Sequence, residues 1–239
     1  MAIAKGLSVY MNGVSLGCAL QSIEATSTTE ALDATTLCNT ARRYAKGIKD
    51  GTASASGIWD YDSTDLDEIH NAFSTAYDGS TENVVTASMA AIAINVDAIM
   101  FNAVQTSYNI EVENNALIMC DAEFQTTSGI NYGKILFNAA VNNTTTNGTT
   151  VDGAASSANG GLFQVQVQNP SQLAGSIKLQ HSSDGSNWVD VTGGSITLTA
   201  ANKFDGKYAE VTGTINRYVR AVAVATSGSI TFVAAFARR

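Results

Sequence analysis

Apolar and polar residues alternate in short runs along nearly the whole chain of 239 residues. Residues 92–100, IAINVDAIM, and residues 163–168, FQVQVQ, are two examples. A period of two places every second side chain on the same face, which is the spacing of a half-buried β-strand. Turn pairs separate the runs, for instance Asn12-Gly13, Ser128-Gly129 and Asp184-Gly185. The sequence therefore predicts a mainly-β fold.

One segment departs from this pattern. Residues 63–79, STDLDEIHNAFSTAYDG, place apolar side chains three or four positions apart, at Leu66, Ile69, Phe73 and Tyr77. That spacing forms one face of a helix. Thr64 and Asp67 suit the start of such a helix, and Gly79 suits its end. We expect one α-helix, Leu66–Tyr77, packed on a sheet of an N-terminal domain.

Composition and charge divide the chain into two parts. Residues 142–161 contain no aromatic residue and no large apolar residue except Val151, so we expect a flexible linker there. Residues 1–141 carry six Lys/Arg and sixteen Asp/Glu, whereas residues 162–239 carry seven Lys/Arg and four Asp/Glu. The net charges are −10 and +3. We expect a β-sandwich or barrel with one helix, followed by a small antiparallel β-sandwich of seven or eight short strands.

Few residues suggest chemistry. There are three cysteines, Cys18, Cys38 and Cys120, and their spacing fits neither a disulfide framework nor a zinc site, so we expect buried thiols. A Ser-His-Asp arrangement at His181 lacks a nucleophile elbow, and His70 lies in the other part. The acidic run Asp60–Glu68 lacks the glycine and glutamate of a calcium loop, so we interpret it as charge at a helix start. We predict no catalytic residue, no cofactor and no metal site.

The composition of the surface points to a protein that is covered by neighbouring molecules. Charged residues make up 14% of the chain, against roughly 25% in a typical soluble domain. Such a surface is easily dehydrated by contact with other molecules.

The N-terminal residues do not resemble a secretory signal, and no apolar run is long enough to span a bilayer. We expect a soluble protein made in the cytoplasm, without membrane insertion.

Four of the thirteen basic residues lie close together in the acidic first part. They are Arg42, Arg43, Lys46 and Lys49, with Tyr44 among them. Binding of nucleic acid is disfavoured because the net charge of −10 around them repels a polyanion. A plain solvated surface is the usual role of such a run. Because Asp33 and Asp50 flank it, every copy carries both signs of charge, which favours head-to-tail contact between copies.

Trp188 is the one aromatic residue with two plausible roles in the second part. With Tyr208 and Tyr218 it could form a platform on which a sugar ring stacks. The other role, which we favour, is a core residue that follows a turn and starts a strand.

The order of several segments then resembles a known family. Residues 33–60 open with D-x-T-T, pass through Arg-Arg-Tyr and end in GIKDGTASASGIWD, directly before the predicted helix. Residues 122–137, AEFQTTSGINYGKILF, follow as a predicted strand-turn-strand. This order resembles the tail tube (major tail) proteins of long-tailed, siphovirus-type bacteriophages. Residues 176–193, SIKLQHSSDGSNWVDVTG, resemble the β-sandwich domains appended to such proteins, and also carbohydrate-binding modules.

The resemblance implies a structural role in the virion. Copies would form hexameric rings whose strands close a barrel, and the rings would stack into a tail tube through which DNA passes without specific binding. The partners implied are further copies, the tape-measure protein, the baseplate or distal tail, and the tail terminator. The protein would act in the phage tail after assembly in the bacterial cytoplasm.

The resemblance also implies two sets of contact residues. A long loop, mapped to Ala31–Ser56, would reach the adjacent ring through Arg42, Arg43, Tyr44, Lys46 and Lys49. An acidic lumen would repel DNA phosphates, and the candidate residues on expected strands are Glu24, Glu111, Glu113, Asp121 and Glu123.

Other classes of function stay open at this point. The main alternative is a carbohydrate-binding surface module, in which Trp188 contacts host-surface glycans and the first domain is an assembly scaffold. An enzyme has no motif in its favour. A pilin or surface-layer subunit would require a signal sequence.

Overall fold

The computed structural model describes residues 6–17, 19–59, 69–198 and 204–239. Within these ranges the chain is mainly antiparallel β-sheet with one α-helix, as predicted, and 14 strands are connected in one sheet. The first strands are β1 (Ser8–Met11), β2 (Val14–Ser15), β3 (Leu20–Asp33) and β4 (Tyr44–Ile58). Helix α1 (Ile69–Asp78) is followed by β5 (Asn83–Ser88), β6 (Asp97–Glu111), β7 (Met119–Thr126) and β8 (Asn131–Asn142). The remaining strands are β9 (Thr145–Asn147), β10 (Val151–Asp152), β11 (Gly161–Ser182), β12 (Val189–Leu198), β13 (Asp205–Val211) and β14 (Tyr218–Arg238).

The predicted turn at Asn12-Gly13 joins β1 to β2. Asn12 has a φ of 50° and Gly13 a φ of 86°, so both lie in the left-handed region that a two-residue hairpin turn requires. Gly13 also lies against β11, because a Cβ atom there would collide with the carbonyl oxygen of Val167. The turn prediction is confirmed, and the packing explains why glycine is needed.

Not every alternating run is a strand. Of residues 92–100, only those from Asp97 onwards belong to β6. Asn95 has a φ of 68°, and its N–H donates to the carbonyl of Ile135. The segment before Asp97 is therefore a turn whose apolar residues pack inwards without forming a ladder.

The predicted helix is present. Its described part is Ile69–Asp78, and the expected starting residues at positions 64–67 lie outside the described residues. Ile69 and Phe73 are buried against the sheet, whereas Tyr77 is 52% exposed. Tyr77 was expected on the buried face, but it lies in the last turn of the helix.

Phe73 holds the helix on the sheet. It is fully buried, and its ring meets those of Tyr108 and Phe124 edge to face, both with centroids 6.1 Å apart. We expect Phe73→Ala to lower the free energy of unfolding by about 3–5 kcal/mol, because it leaves a cavity. Chemical denaturation measures this. The exposed Tyr77→Ala on the same helix is the control and should change stability by less than about 0.5 kcal/mol.

Four strands form the part of the sheet that carries the candidate site. Their order is β3-β4-β7-β6, and we call this part the four-stranded sheet. Its side chains alternate between two faces, as the pattern of burial along β4 and β7 shows. The apolar face, with Ala53, Ala55, Ala122 and Phe124, belongs to the same core as helix α1. The opposite face is polar.

The second part contains fewer and longer strands than predicted. β11 has 22 residues and β14 has 21, and the two pair along nearly their whole length. Seven or eight short strands were predicted for this part. Register shifts between Val167 and Gly175 on β11 allow the two long strands to continue as a pair.

The segment expected as a linker has secondary structure. β9 and β10 both pair with β14, and Ser157 forms a bridge with Ile215. Small polar residues contribute little apolar surface, but their main-chain groups complete the ladder beside β14. Val151, the one large apolar residue in the segment, is buried.

The two parts of the chain share one sheet, and buried side chains from both parts pack together in two hydrophobic clusters. β14 pairs with β8 from Ser229↔Asn142 to Phe236↔Lys134, and the rings of Phe137 and Phe232 stack at 4.4 Å. The second part was expected as a separate β-sandwich joined to the first by a flexible linker. Instead, its strand β14 extends the sheet of the first part. The domain boundaries at residues 141 and 162 stay a prediction.

Buried glutamines strengthen this junction. Gln166 donates to the carbonyl of Val84 at 3.0 Å and accepts from the N–H of Gly13 at 2.7 Å. Gln164 accepts from the hydroxyl of Thr86 at 2.9 Å. Alternation predicted that these glutamines face solvent, but β5 packs on that side and provides partners for them.

We expect His181 to contribute to a pH dependence of stability. Its Nδ1 accepts a hydrogen bond from the N–H of Asn216 at 3.2 Å, and burial, with Arg238 nearby, lowers its pKa. Below about pH 6.5 the unfolded chain therefore binds more protons at this residue than the folded one. We expect the free energy of unfolding to fall as the pH falls from 7.5 to 5. His181→Gln should reduce that slope in denaturation series, and an unchanged slope would contradict this role.

Candidate assembly site

The polar face of the four-stranded sheet carries paired carboxylates. Glu24 on β3 and Glu123 on β7 are both register partners of Ser54 on β4, and Glu123 also pairs with Ser107 on β6. Two residues along β7, Asp121 is the register partner of Ser56 and of Asn109, so it lies on the same face as Glu123. Four of the five predicted acidic residues, these three and Glu111, therefore share one face.

This face is concave, acidic and open to solvent. It holds two shallow depressions of ≈ 410 and ≈ 360 Å³, the first lined by Glu24 and Glu123 and the second by Asp121 and Glu123. Residues 20–27, 51–58, 97–111 and 119–126 contain no lysine or arginine. The carboxylates consequently have no basic neighbour within these four segments, and their negative field acts on the depressions that they line.

Glu111 is the last residue of β6 and the register partner of Met119, so it follows Ser107 and Asn109 along the polar face and lies at its end. Glu113 lies in the connection between β6 and β7, so the expectation of a strand at Glu113 is corrected. Chain reversal at residues 112–118, which contain Asn114 and Asn115, explains this, and Asn115 has a φ of 59°. We call residues 112–118 the β6–β7 turn.

The four-stranded sheet has open edges on both sides. β3 pairs with β4 alone along its 14 residues. β6 has β5 beside it at Ala98 to Ala103, but from Val104 to Glu111 it pairs with β7 alone. Among the residues that the structure describes, no strand covers either edge. Open edges present unpaired main-chain groups and readily accept strands from another molecule.

A two-stranded hairpin projects from one end of this sheet. β7 pairs with β4 only from Thr52 onwards, so β3 and β4 continue beyond it without a further neighbour. We call residues 27–51 the arm. The predicted loop Ala31–Ser56 is thus corrected: only residues 34–43 form a connection, and the rest is paired strand. Its Thr, Ser, Ala and Gly residues lack the large apolar side chains that usually reveal a strand.

Side chains order the end of the arm. Asp33 accepts a hydrogen bond from the N–H of Thr35, and hydrogen bonds from Thr35 lower the pKa of this exposed carboxyl. Asn39 accepts from the N–H and the hydroxyl of Thr36 at 2.8 and 2.9 Å. The connection is therefore held in a defined shape although both its faces are exposed.

The arm presents cations and apolar side chains together. Arg42, Arg43, Tyr44, Lys46 and Lys49, the five residues predicted for contact, all lie on it and are exposed. None of the four cations forms an ion pair with another residue in the described ranges. The apolar side chains of Leu37 and Ile48 are 107% and 82% exposed. The sequence analysis did not include these apolar residues in the contact surface. Ile48 could have been included, because it lies between Lys46 and Lys49.

Trp188 lies at the surface and not in a core. It is half-buried, and the guanidinium of Arg220 lies over its ring, 4.2 Å from the centroid. Arg220 in turn donates to Gln180 at 2.8 and 2.9 Å. One face of the indole is consequently occupied by a cation that is itself held in place.

The residues around His181 do not form a catalytic arrangement. The hydroxyl of Ser182 donates to Asp184 at 2.8 Å, and Asp184 also accepts from the N–H groups of Ser186 and Asn187. These hydrogen bonds hold the pKa of Asp184 far below its usual range. Asp184 therefore shapes the 182–187 turn.

Other features of the described residues add no site. They include no cluster of three or more His, Cys, Asp or Glu that could hold a metal ion. The acidic run Asp60–Glu68 lies outside the described residues. Cys120 is buried, as expected, whereas Cys38 is exposed at the end of the arm. In the described ranges no helix has the length and apolar character needed to cross a membrane.

Comparison with known proteins gives only distant similarities. No protein-family model and no curated protein matches this chain. It is similar to a chain in the virion of a native gene transfer agent particle, with a TM-score of 0.43 and 15% identity over 55% of this chain and 98% of that one. A chain in the tail of an empty gene transfer agent particle is similar with a TM-score of 0.38 and 14% identity, over 48% of this chain and 81% of that one. The Dit protein of phage SPP1 is similar with a TM-score of 0.40 and 12% identity, over 98% of this chain and 99% of that one.

Proposed function

We propose that this chain is a structural protein of a phage tail that assembles with its own copies into rings, and that the rings stack into a tube. The observation that carries this proposal is the four-stranded sheet, which is open at both edges and acidic on one face. A sheet of this kind is completed when β3 of one copy pairs with the open part of β6 in the next. Repetition around a ring closes a barrel and removes both edges of the four-stranded sheet.

The polar face then lines the channel. The apolar face of the sheet is already covered by helix α1, so only the face with Glu24, Asp121 and Glu123 is free to line a lumen. Carboxylates in a narrow channel repel phosphates, which allows DNA to slide without binding. Six copies per ring, contact with the tape-measure, baseplate or distal tail and terminator proteins, and a location in the virion are parts of the proposal that come from the family resemblance.

Electron microscopy of the purified full chain tests this function. Across a series of concentrations we expect rings and hollow tubes formed of stacked rings. A protein that stays monomeric at every concentration would overturn the proposal. Ring closure predicts in addition that Tyr108, beside the open edge of β6, is more protected from modification in tubes than in monomers.

A glycan-binding role has less support. Arg220 covers one face of Trp188, so a sugar has only the other face to stack on. Deleting residues 142–239 is not a usable test, because β8 and Phe137 would lose the neighbours that cover them. A glycan array with the full chain and with Trp188→Ala is the appropriate comparison, and equal binding by both would exclude Trp188.

A further inference from the structure

We infer that the β6–β7 turn is the surface on which the arm of another copy docks, so that copies join head to tail. This inference rests on the proposed function and names the partner surface for the arm. The contact is between two parts of the same sequence: residues 27–51 of one copy and residues 110–118 of the next.

The two surfaces lie at opposite ends of the four-stranded sheet. The arm leaves the sheet at Thr52, where β7 ends at Gln125 and Thr126. β4 then runs through the sheet to Ile58, which pairs with Met119, the first residue after the turn. Seven residues of strand separate the two ends by about 20 Å, and the arm points away from the turn over a similar length. An arm therefore cannot reach the turn of its own copy.

Their charges are opposite. Over residues 27–51 the arm carries four cations and three carboxylates, Glu30, Asp33 and Asp50, which gives a net charge of +1, and the four cations lie together between positions 42 and 49. Residues 110–118 carry two carboxylates, Glu111 and Glu113, and no cation, which gives −2. The arm is the cationic exception in an acidic part of the chain, and the turn offers carboxylates at the far end of the same sheet. Opposite potentials of this kind orient two molecules as they approach.

Both surfaces also expose large apolar side chains. On the turn and the adjoining strand end these are Ile110, Val112 and Leu117, which are 40%, 68% and 63% exposed. On the arm they are Leu32, Leu37, Tyr44 and Ile48. Apolar side chains surrounded by charges are the usual composition of a contact with a buried centre and a polar rim. Two such surfaces, with opposite charges around them, suit each other better than either suits itself.

The direction of the contact gives open-ended growth. An arm at one end and its acceptor at the other make a heterologous contact, which repeats along an axis when it does not close. The same chain thus holds main-chain edge contacts that close a ring and side-chain end contacts that stack rings, and the two overlap only at residues 27–33 of β3 and 110–111 of β6.

Charge exchange in the full chain tests the docking. We expect Arg42→Glu with Arg43→Glu to raise the concentration needed for tube formation at least about tenfold, and Glu111→Arg with Glu113→Arg to do the same, with rings retained in both. All four substitutions in one chain should restore tubes. If the combined variant forms rings but no tubes, the docking contact is overturned and the ring proposal stands. If the unchanged protein forms neither rings nor tubes, both are overturned.

A disulfide provides a second measurement that does not depend on charge. Cys38 is exposed on the arm, so Leu117→Cys should give crosslinks between copies under oxidising conditions. Leu117→Cys with Cys38→Ser is the control for specificity. Tyr132→Cys is the matched control for position. Tyr132 is also exposed, at 66%, but it lies on β8, which follows the end of β7 from which the arm projects and not the end at the β6–β7 turn. Equal crosslinking at positions 117 and 132 would contradict head-to-tail docking.

Discussion

Tubes are expected to disappear, and separate rings to remain, when residues 28–50 are replaced by Asn-Gly. Ser27 and Gly51 are register partners, so a two-residue turn can connect β3 to β4 at that point. The replacement removes the four cations and the exposed Leu37 and Ile48, while the sheet from Thr52 to Ile58 keeps all its pairs with β7. The effect on stacking is large because every contact attributed to the arm is lost at once.

Electron microscopy and thermal unfolding together measure this outcome. We expect little change in the midpoint of unfolding, since the arm packs on no core. The control keeps the arm at full length and replaces only Thr36 and Asn39, whose hydrogen bonds order its end, by glycine. That variant should form tubes more weakly but not lose them. Normal tubes from the chain with the shortened arm would contradict a stacking role.

Charge reversal on the polar face should turn a channel that repels DNA into one that retains it. Glu24→Lys with Glu123→Lys changes the charge of each copy by four units at the depression that these residues line. Repeated around a ring, this replaces a belt of carboxylates by a belt of ammonium groups. We expect variant tubes to bind a short DNA duplex at low salt, with affinity falling more than about tenfold between 50 and 200 mM salt as counterions compete.

Fluorescence anisotropy with a labelled duplex measures the binding, and microscopy verifies that tubes still form. Asp78→Lys with Glu82→Lys is the matched control, because it changes charge equally at positions outside the four-stranded sheet. The control should leave DNA binding close to that of the unchanged protein. Equal binding by both pairs of substitutions would mean that the polar face does not line the channel.

Much of the fold was predictable because it depends on local rules. Asn12 and Gly13 specify a turn by their backbone preferences, and the spacing of Ile69 and Phe73 specifies a helix face. The cluster from Arg42 to Lys49 was recognisable as a group of cations in an acidic part of the chain, and its role in assembly stays a prediction. These signals lie within a few residues of each other, and no distant contact overrides them.

Other parts depend on neighbours that the sequence does not reveal. The alternating glutamines of β11 predict an exposed face, yet Gln164 and Gln166 are buried because β5 provides matched donors and acceptors. The small polar residues of the arm suggest a loop, but main-chain pairing between β3 and β4 makes a hairpin. The joining of β14 to β8 is likewise a contact between distant segments.

The sequence by itself determined the class of fold, the position of the helix and the segregation of charge, since side-chain period and backbone preference are local properties. Tertiary structure decided which carboxylates share a face, which edges stay open and where the arm leaves the sheet. Glu24 and Glu123 are 99 positions apart in the chain but partner the same residue, Ser54. Register between strands sets such a site, and register is fixed only when the whole sheet packs.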